Sequence, residues 1–271
     1  MNNGYEAILI AAFGTTVASA REAYLRFDQA VRERFKDTEI RWAYTSRHVR
    51  KKLAGQGICT ESVSEALTTL AKDGYRKMAV LSLQVIPGVE YDIIRNETAL
   101  FLDTNKSDGV SVVVGNPLLS DHEDARRVAF TLLDNAPEER DRESDALVFM
   151  GHGSARHESD FLYTALAAFL RYFDKLAILG TVEGELTLDG VVEECLKAGC
   201  KKAWLIPFMA VAGDHAINDM AGDDEDSWKS VLDKAGIESK PVLRGILDCP
   251  GISDVWLDHL AAAIVPPKDG S

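Results

Sequence analysis

A chain of 271 residues is long enough for two domains of ordinary size, and its 46% apolar content excludes wholesale disorder. Its 30 Lys and Arg against 43 Asp and Glu leave a formal net charge of −13, which argues against nucleic acid or an anionic membrane as partner. No stretch approaches the roughly 20 apolar residues that cross a bilayer. The segment Met1–Glu6 lacks the basic and apolar regions of a secretory signal. The sequence therefore reads as cytoplasmic, unless a leader preceded it.

The predicted elements alternate strand and helix. Residues 7–13 are a short apolar run bounded by Gly14, as a buried parallel strand requires. Residues 18–35 place Ala20, Ala23, Tyr24, Phe27, Val31 and Phe35 at helical spacing. A strand follows at 40–45, then a helix at 61–72 with Gly74 as its stop. Strands at 77–85 and 110–115 and a helix at 122–133 complete the first series. Residues 135–144, polar and containing Pro137, read as a linker. The second series has strands near 146–150, 176–181, 202–208 and 241–246. Its helices lie near 158–173, 189–198, 225–235 and 252–264.

The second series repeats the first. Aligning Gly14 with Gly153 puts Phe13 opposite His152. Gly74–Lys77 leads through a strand to Pro87-Gly88-Val89-Glu90, and Gly199–Lys202 leads through another to Ala212-Gly213-Asp214-His215. Glu90 thus falls opposite His215. Such alternation implies right-handed βαβ units. The expected fold class is α/β: two similar domains, each a parallel sheet flanked by helices, facing a central cleft. The predicted domains are 1–134 and 145–264, with the terminal helix 252–264 free to pack across them.

Ligands of parallel sheets sit beyond the carboxyl ends of the strands. In the second series that rule gathers His152, Glu183 and His215, two imidazoles and a carboxylate at three consecutive strand ends. This donor set suits a divalent first-row metal. Three ligands with open positions allow the metal to be handed on. Arg47, His48, Arg50, Lys51 and Lys52 form the densest basic stretch of an acidic chain. It reads either as a solvated helix face or as a patch for substrate carboxylates. His122, His157 and His259 read as surface residues. Cys59, Cys195, Cys200 and Cys249 form no C-x-x-C pair and read as reduced, packed thiols. No Gly-x-Gly-x-x-Gly or P-loop is present, so no nucleotide is expected.

The ordered series Ala12-Phe13-Gly14-Thr15-Thr16, Tyr44-Thr45-Ser46, Ser82 to Tyr91, Val114 to Leu119, Gly151-His152-Gly153-Ser154, Thr181-Val182-Glu183-Gly184 and Pro207 to Ala216 spans almost the whole chain. It resembles the sirohydrochlorin cobaltochelatases of anaerobic cobalamin biosynthesis, class II chelatases. The resemblance implies a two-domain fold related to ferrochelatase and insertion of Co2+ into sirohydrochlorin, a planar polycarboxylate tetrapyrrole. It implies His152, Glu183 and His215 as metal ligands, the same three residues. His152 and His215 would also take the pyrrole protons. Phe13, Gln84, Glu90 and Met209 would line the ring slot, and Arg47, His48 and Arg50 would hold the acidic rim. Some relatives bind haem through a histidine after the Glu90 position. This chain has no histidine between His48 and His122, so haem is not expected. Three alternatives stand beside cobalt insertion: Fe2+ or Ni2+ insertion into a related tetrapyrrole, a carrier without turnover, and a metallohydrolase. The oligomeric state is open, a homo-oligomer included.

Overall fold

The computed structural model describes residues 4–265. Strands β1 (Ala7–Ala12), β2 (Glu39–Tyr44), β3 (Lys77–Ser82) and β4 (Ser111–Val114) form one parallel sheet in the order β2-β1-β3-β4. Strands β5 (Asp145–Gly151), β6 (Ala177–Thr181), β7 (Lys202–Phe208) and β8 (Glu238–Pro241) form a second, in the order β6-β5-β7-β8. The two orders are the same once each series is counted from its own first strand. The internal repeat of the sequence is thus a repeat of topology. β1 and β5 are buried along their whole lengths. Both faces of a central parallel strand meet helices, so its sequence is a continuous apolar run.

The helices are α1 (Ala18–Arg34), α2 (Arg47–Gly55), α3 (Val63–Lys72), α4 (Val89–Thr104), α5 (His122–Asp134), α6 (Phe161–Phe173), α7 (Leu188–Lys197), α8 (Trp228–Lys234) and α9 (Ile252–Ile264). None of the described helices is long and apolar enough to cross a membrane. α3 starts with a reciprocal cap: Ser62 accepts from the Glu65 amide, and Glu65 accepts from the Ser62 amide. In the first sheet's core, Val63, Ala66, Leu67 and Leu70 of α3 meet Leu9, Met78 and Val80. In the second, Val148, Met150 and Leu205 pack with Val191, Trp228 and Leu232.

Three features differ from the sequence expectation. No element was expected between residues 86 and 109, yet α4 lies there, burying Tyr91, Ile94, Thr98 and Phe101. Glu90 therefore stands on the first turn of a helix rather than in a loop, where a carboxylate opposes the helix dipole favourably. The final strand is residues 238–241 rather than 241–246. Glu238 donates to the Lys201 carbonyl and Val242 to the Leu205 carbonyl, both at 2.8 Å. Pro241 falls between these donors on an edge strand, where a missing N–H costs nothing. The third feature is Arg140, in the expected polar linker, which is 6% exposed. Its guanidinium grips both carboxylate oxygens of Asp174 and the Asp145 carbonyl.

The chain separates into two compact units. Unit 1 holds the described residues up to Thr16, Leu25–Leu118 and those from Ser253 onward; unit 2 holds Val17–Tyr24 and Leu119–Ile252. Packing therefore groups the helices differently from the boundaries 1–134 and 145–264, within which the two sheets themselves fall. α5 groups with unit 2 because its apolar face lies on α6. α9 groups with unit 1, where Trp256 stacks edge-on against Phe27 and donates to the Gln84 carbonyl at 3.1 Å.

Candidate metal and tetrapyrrole-binding residues

In unit 2, β5 and β6 are neighbours, and their pairing continues into the loops that follow them. Val182 donates to the Gly151 carbonyl at 3.0 Å and Glu183 to the His152 carbonyl at 2.8 Å. Ala155 donates back to the Glu183 carbonyl at 2.5 Å. This close approach requires Gly153. Its φ is +80°, and a Cβ there would lie 2.7 Å from the Gly184 nitrogen.

His152 and His215 come together. Their ring centroids are 4.9 Å apart and the planes cross at 84°. His152 Nδ1 lies 3.1 Å from the Gly153 carbonyl oxygen. A carbonyl only accepts, so that nitrogen carries the proton and Nε2 keeps its lone pair. His215 Nδ1 lies 2.5 Å from Asp219 Oδ2, and the same argument leaves its Nε2 as the basic nitrogen. A carboxylate behind the second nitrogen is the usual support for a ligating histidine. Asp219 reaches His215 because a single π-helical turn, Ala216–Met220, starts directly after it. Such turns concentrate at functional sites. The i,i+4 spacing of His215 and Asp219 is the trace of this contact in the sequence.

Glu183 is exposed at the loop surface. Among the described residues, no three His, Cys, Asp or Glu side chains are gathered into a ready-made metal cluster. The fold thus brings the two imidazoles together and sets the Glu183 backbone beside His152, while the Glu183 carboxylate does not complete the set. Met209, at the end of β7, is half-buried and packs against the unit's core.

In unit 1 the equivalent loops carry other chemistry. Phe13 is 45% exposed at the end of β1. Its carbonyl accepts from the Ser46 amide at 3.2 Å. The buried Thr45 hydroxyl donates to Glu90 Oε2. Ser46 caps α2 by accepting from the Val49 amide at 3.3 Å. Val49 and Leu53 turn inward from that helix, and Arg47, His48, Lys51 and Lys52 are exposed. Arg50 differs: it is half-buried, and its Nη1 donates to the Tyr44 carbonyl at 3.2 Å. Gln84 joins three segments through its carbonyl, which accepts from Trp256 and from the Leu118 amide. Its side-chain nitrogen is buried without a hydrogen-bond partner.

The remaining candidates separate by burial. His122 is exposed, His157 is half-buried and accepts from the Ser159 amide, and His259 is half-buried in α9 rather than at the surface. Cys195, Cys200 and Cys249 are buried, and burial pushes the Cys195 thiol up to about 12, which keeps it protonated. Cys59 is exposed and so departs from the expected packed thiol.

A family model described as cobalt chelatase (CbiK) matches residues 6–265. The chain is 42% identical over 259 residues to a sirohydrochlorin cobaltochelatase, CbiKC, of Nitratidesulfovibrio vulgaris, covering 95% of this chain and 90% of that protein. It is 34% identical to the sirohydrochlorin cobaltochelatase of Salmonella typhimurium, covering 96% of each. Among solved structures, SirB from Bacillus subtilis with Fe3+ superimposes with a TM-score of 0.67 at 16% identity, covering 96% of each chain. CbiX, described as the terminal enzyme of siroheme biosynthesis in denitrifying bacteria, gives 0.58 at 15% identity, covering 96% of this chain and 99% of that one. These two share the fold. The chain belongs to the CbiK cobalt chelatase family.

Proposed function

We propose that this chelatase inserts Co2+ into sirohydrochlorin, holding the metal transiently on His152, Glu183 and His215. The observation that carries the reading is the pair of imidazoles, 4.9 Å apart, with both Nδ1 atoms engaged and both Nε2 atoms left basic. Two nitrogens and one carboxylate bind a divalent ion firmly enough to capture it. They leave coordination positions for the incoming pyrrole nitrogens. Glu183, on an exposed loop, joins the two histidines when the ion arrives.

The proton balance follows from the same atoms. Metalation removes two pyrrole protons for each Co2+ gained. As the ion moves to the ring, each imidazole loses a bond at Nε2 and recovers a lone pair. Each can then accept one pyrrole proton and pass it to water. Two imidazoles match two protons, and no outside base is needed. The exposed Phe13 of unit 1 offers a flat face for the macrocycle, with Gln84 and Glu90 following β3 of the same sheet, and Met209 of unit 2 offers an apolar ring contact at the end of β7. Arg47 and His48 take carboxylates at the ring's rim, with Arg50 behind them.

The test is the absorption change of sirohydrochlorin on metalation, with protein and Co2+ supplied separately. Many rings metalated per protein support the reading. A single stoichiometric change identifies a carrier instead, and an unchanged spectrum rejects both. Running Fe2+ and Ni2+ in parallel decides the metal.

A further inference from the structure

Asp160 is the last residue of a short 3-10 turn, Glu158–Asp160, that runs directly into α6, and its own backbone is helical at φ −57°, ψ −28°. The cap of this helical segment falls one turn earlier, on His157, whose Nδ1 accepts from the Ser159 amide at 3.1 Å. Asp160 makes no side-chain cap to α6. It is 8% exposed, and its two oxygens are used elsewhere. Oδ1 accepts from the Ser154 amide at 2.7 Å, on the loop that carries His152. Oδ2 accepts from the Glu185 amide at 3.1 Å, on the loop that carries Glu183. Gly184 lies against this carboxylate so closely that a Cβ would meet both oxygens at 2.8 Å.

We infer that Asp160 is the positioning residue of the metal site, a buried carboxylate bridge that fixes the spacing of the His152 and Glu183 loops. The inference rests on the ligand assignment proposed above. Direct backbone contacts already join the loops at Glu183–His152 and Ala155–Glu183. Asp160 adds a rigid third strut, anchored in the helix behind them. The buried negative charge also lies behind a site that receives a divalent cation.

Asp160→Asn tests the bridge. The side chain keeps its shape, but its amide nitrogen must face one of the two N–H donors. One loop is therefore released. Loss of an outer partner of a metal ligand typically weakens affinity by about 10–100-fold. We expect a loss of that size in Co2+ affinity without tetrapyrrole, read from the cobalt visible spectrum, with a changed band shape. The apparent KM for sirohydrochlorin should stay within about twofold, because the ring contacts lie elsewhere. Leu232→Ala, a core truncation on α8, provides the control for destabilisation alone. Equal losses of Co2+ affinity in Leu232→Ala and Asp160→Asn at matched melting temperature would overturn the bridge. So would wild-type Co2+ affinity and spectrum in Asp160→Asn while His152→Ala and Glu183→Ala lose binding. Unchanged binding in all three site variants would overturn the ligand assignment, and the bridge with it.

Discussion

The amide of Glu183 donates to the carbonyl of His152 at 2.8 Å, directly beyond the last paired residues of β5 and β6. Unit 1 makes the same bond at the equivalent place, from the Ser46 amide to the Phe13 carbonyl at 3.2 Å. The repeat therefore preserves the backbone scaffold and changes the side chains mounted on it. One copy presents imidazole and carboxylate; the other presents an aromatic ring and a helix cap. Under the proposed function, one copy binds the metal and the other serves the organic substrate, with no change of architecture.

Gly153→Ala should disable the site without unfolding the core. The substitution forces a side chain onto a residue at φ +80° and drives its Cβ to 2.7 Å from the Gly184 nitrogen. The two loops must separate, and His152 moves away from Glu183. We expect cobalt insertion to fall by at least about 100-fold, since a misplacement of about 1 Å has that cost. The melting temperature should drop by only a few degrees. Undiminished turnover in this variant would show that the close loop contact is dispensable.

His215→Ala and His152→Ala should each abolish insertion and keep the fold. Both side chains lie at strand ends outside the buried core, and the His215 side chain is 39% exposed. Asp219→Asn is the finer variant. It keeps a hydrogen-bond acceptor but removes the charge behind Nδ1, so Co2+ affinity should weaken by about 10–100-fold with the ring KM unchanged. Metalation rates and cobalt spectra distinguish the three variants. A fully active His215→Ala removes this residue from the ligand set.

Some of this architecture was legible in the residues and some was not. The central strands were readable because a parallel strand covered on both faces is apolar throughout, as in Ala7–Ala12. His152 and His215 stood out because the repeat placed them opposite Phe13 and Glu90. α4 escaped because its inward stripe includes Thr98, while Leu100 on the same helix is 65% exposed, which blurs the periodicity. β8 was expected three residues too late because an edge strand needs a partner on one side only, and Glu-Ser-Lys-Pro carries no apolar signal. The roles of Asp160 and Asp219 depend on which amide or ring nitrogen the folded loops bring to each carboxylate. Neither is a property of local sequence alone.

Arg140→Ala should destabilise unit 2 by about 3–5 kcal/mol at neutral pH, the usual cost of removing one partner of a buried ion pair. The Arg140 and Asp174 side chains are 1% and 12% exposed and bond through both carboxylate oxygens. Burial by itself would raise the Asp174 carboxyl, but the Arg140 guanidinium and the Leu176 amide outweigh it and hold it below the ordinary value. A depressed carboxylate contributes stability above its unfolded pKa of about 3.9, lost as pH falls through its folded value. Wild type should therefore lose stability steeply below about pH 4, and Arg140→Ala should lose less over the same range. Urea titrations at pH 7 and pH 3 measure both differences. Parallel losses in the two proteins would contradict the assignment.

Arg47→Ala should raise the apparent KM for sirohydrochlorin more than it lowers kcat. The protein carries a net charge of −13 and the proposed substrate is a polyanion, so their encounter is repulsive unless a local patch reverses the field. On α2 the inward residues Val49 and Leu53 leave Arg47 and His48 exposed on the first turn, next to the end of β2. Arg50 is already committed to the Tyr44 carbonyl, so Arg50→Ala should also disturb the loop. Lys51 and Lys52, exposed further along the helix, should matter less than Arg47. A carboxylate clamp remote from the pyrrole nitrogens binds ground state and transition state alike, so the loss appears in KM. Exposed ion pairs are screened by salt, so the gap between wild type and Arg47→Ala should narrow from 10 to about 200 mM ionic strength. Equal KM values for the two proteins at low ionic strength would make this stretch a solvated helix face, with the rim of the tetrapyrrole held by other residues.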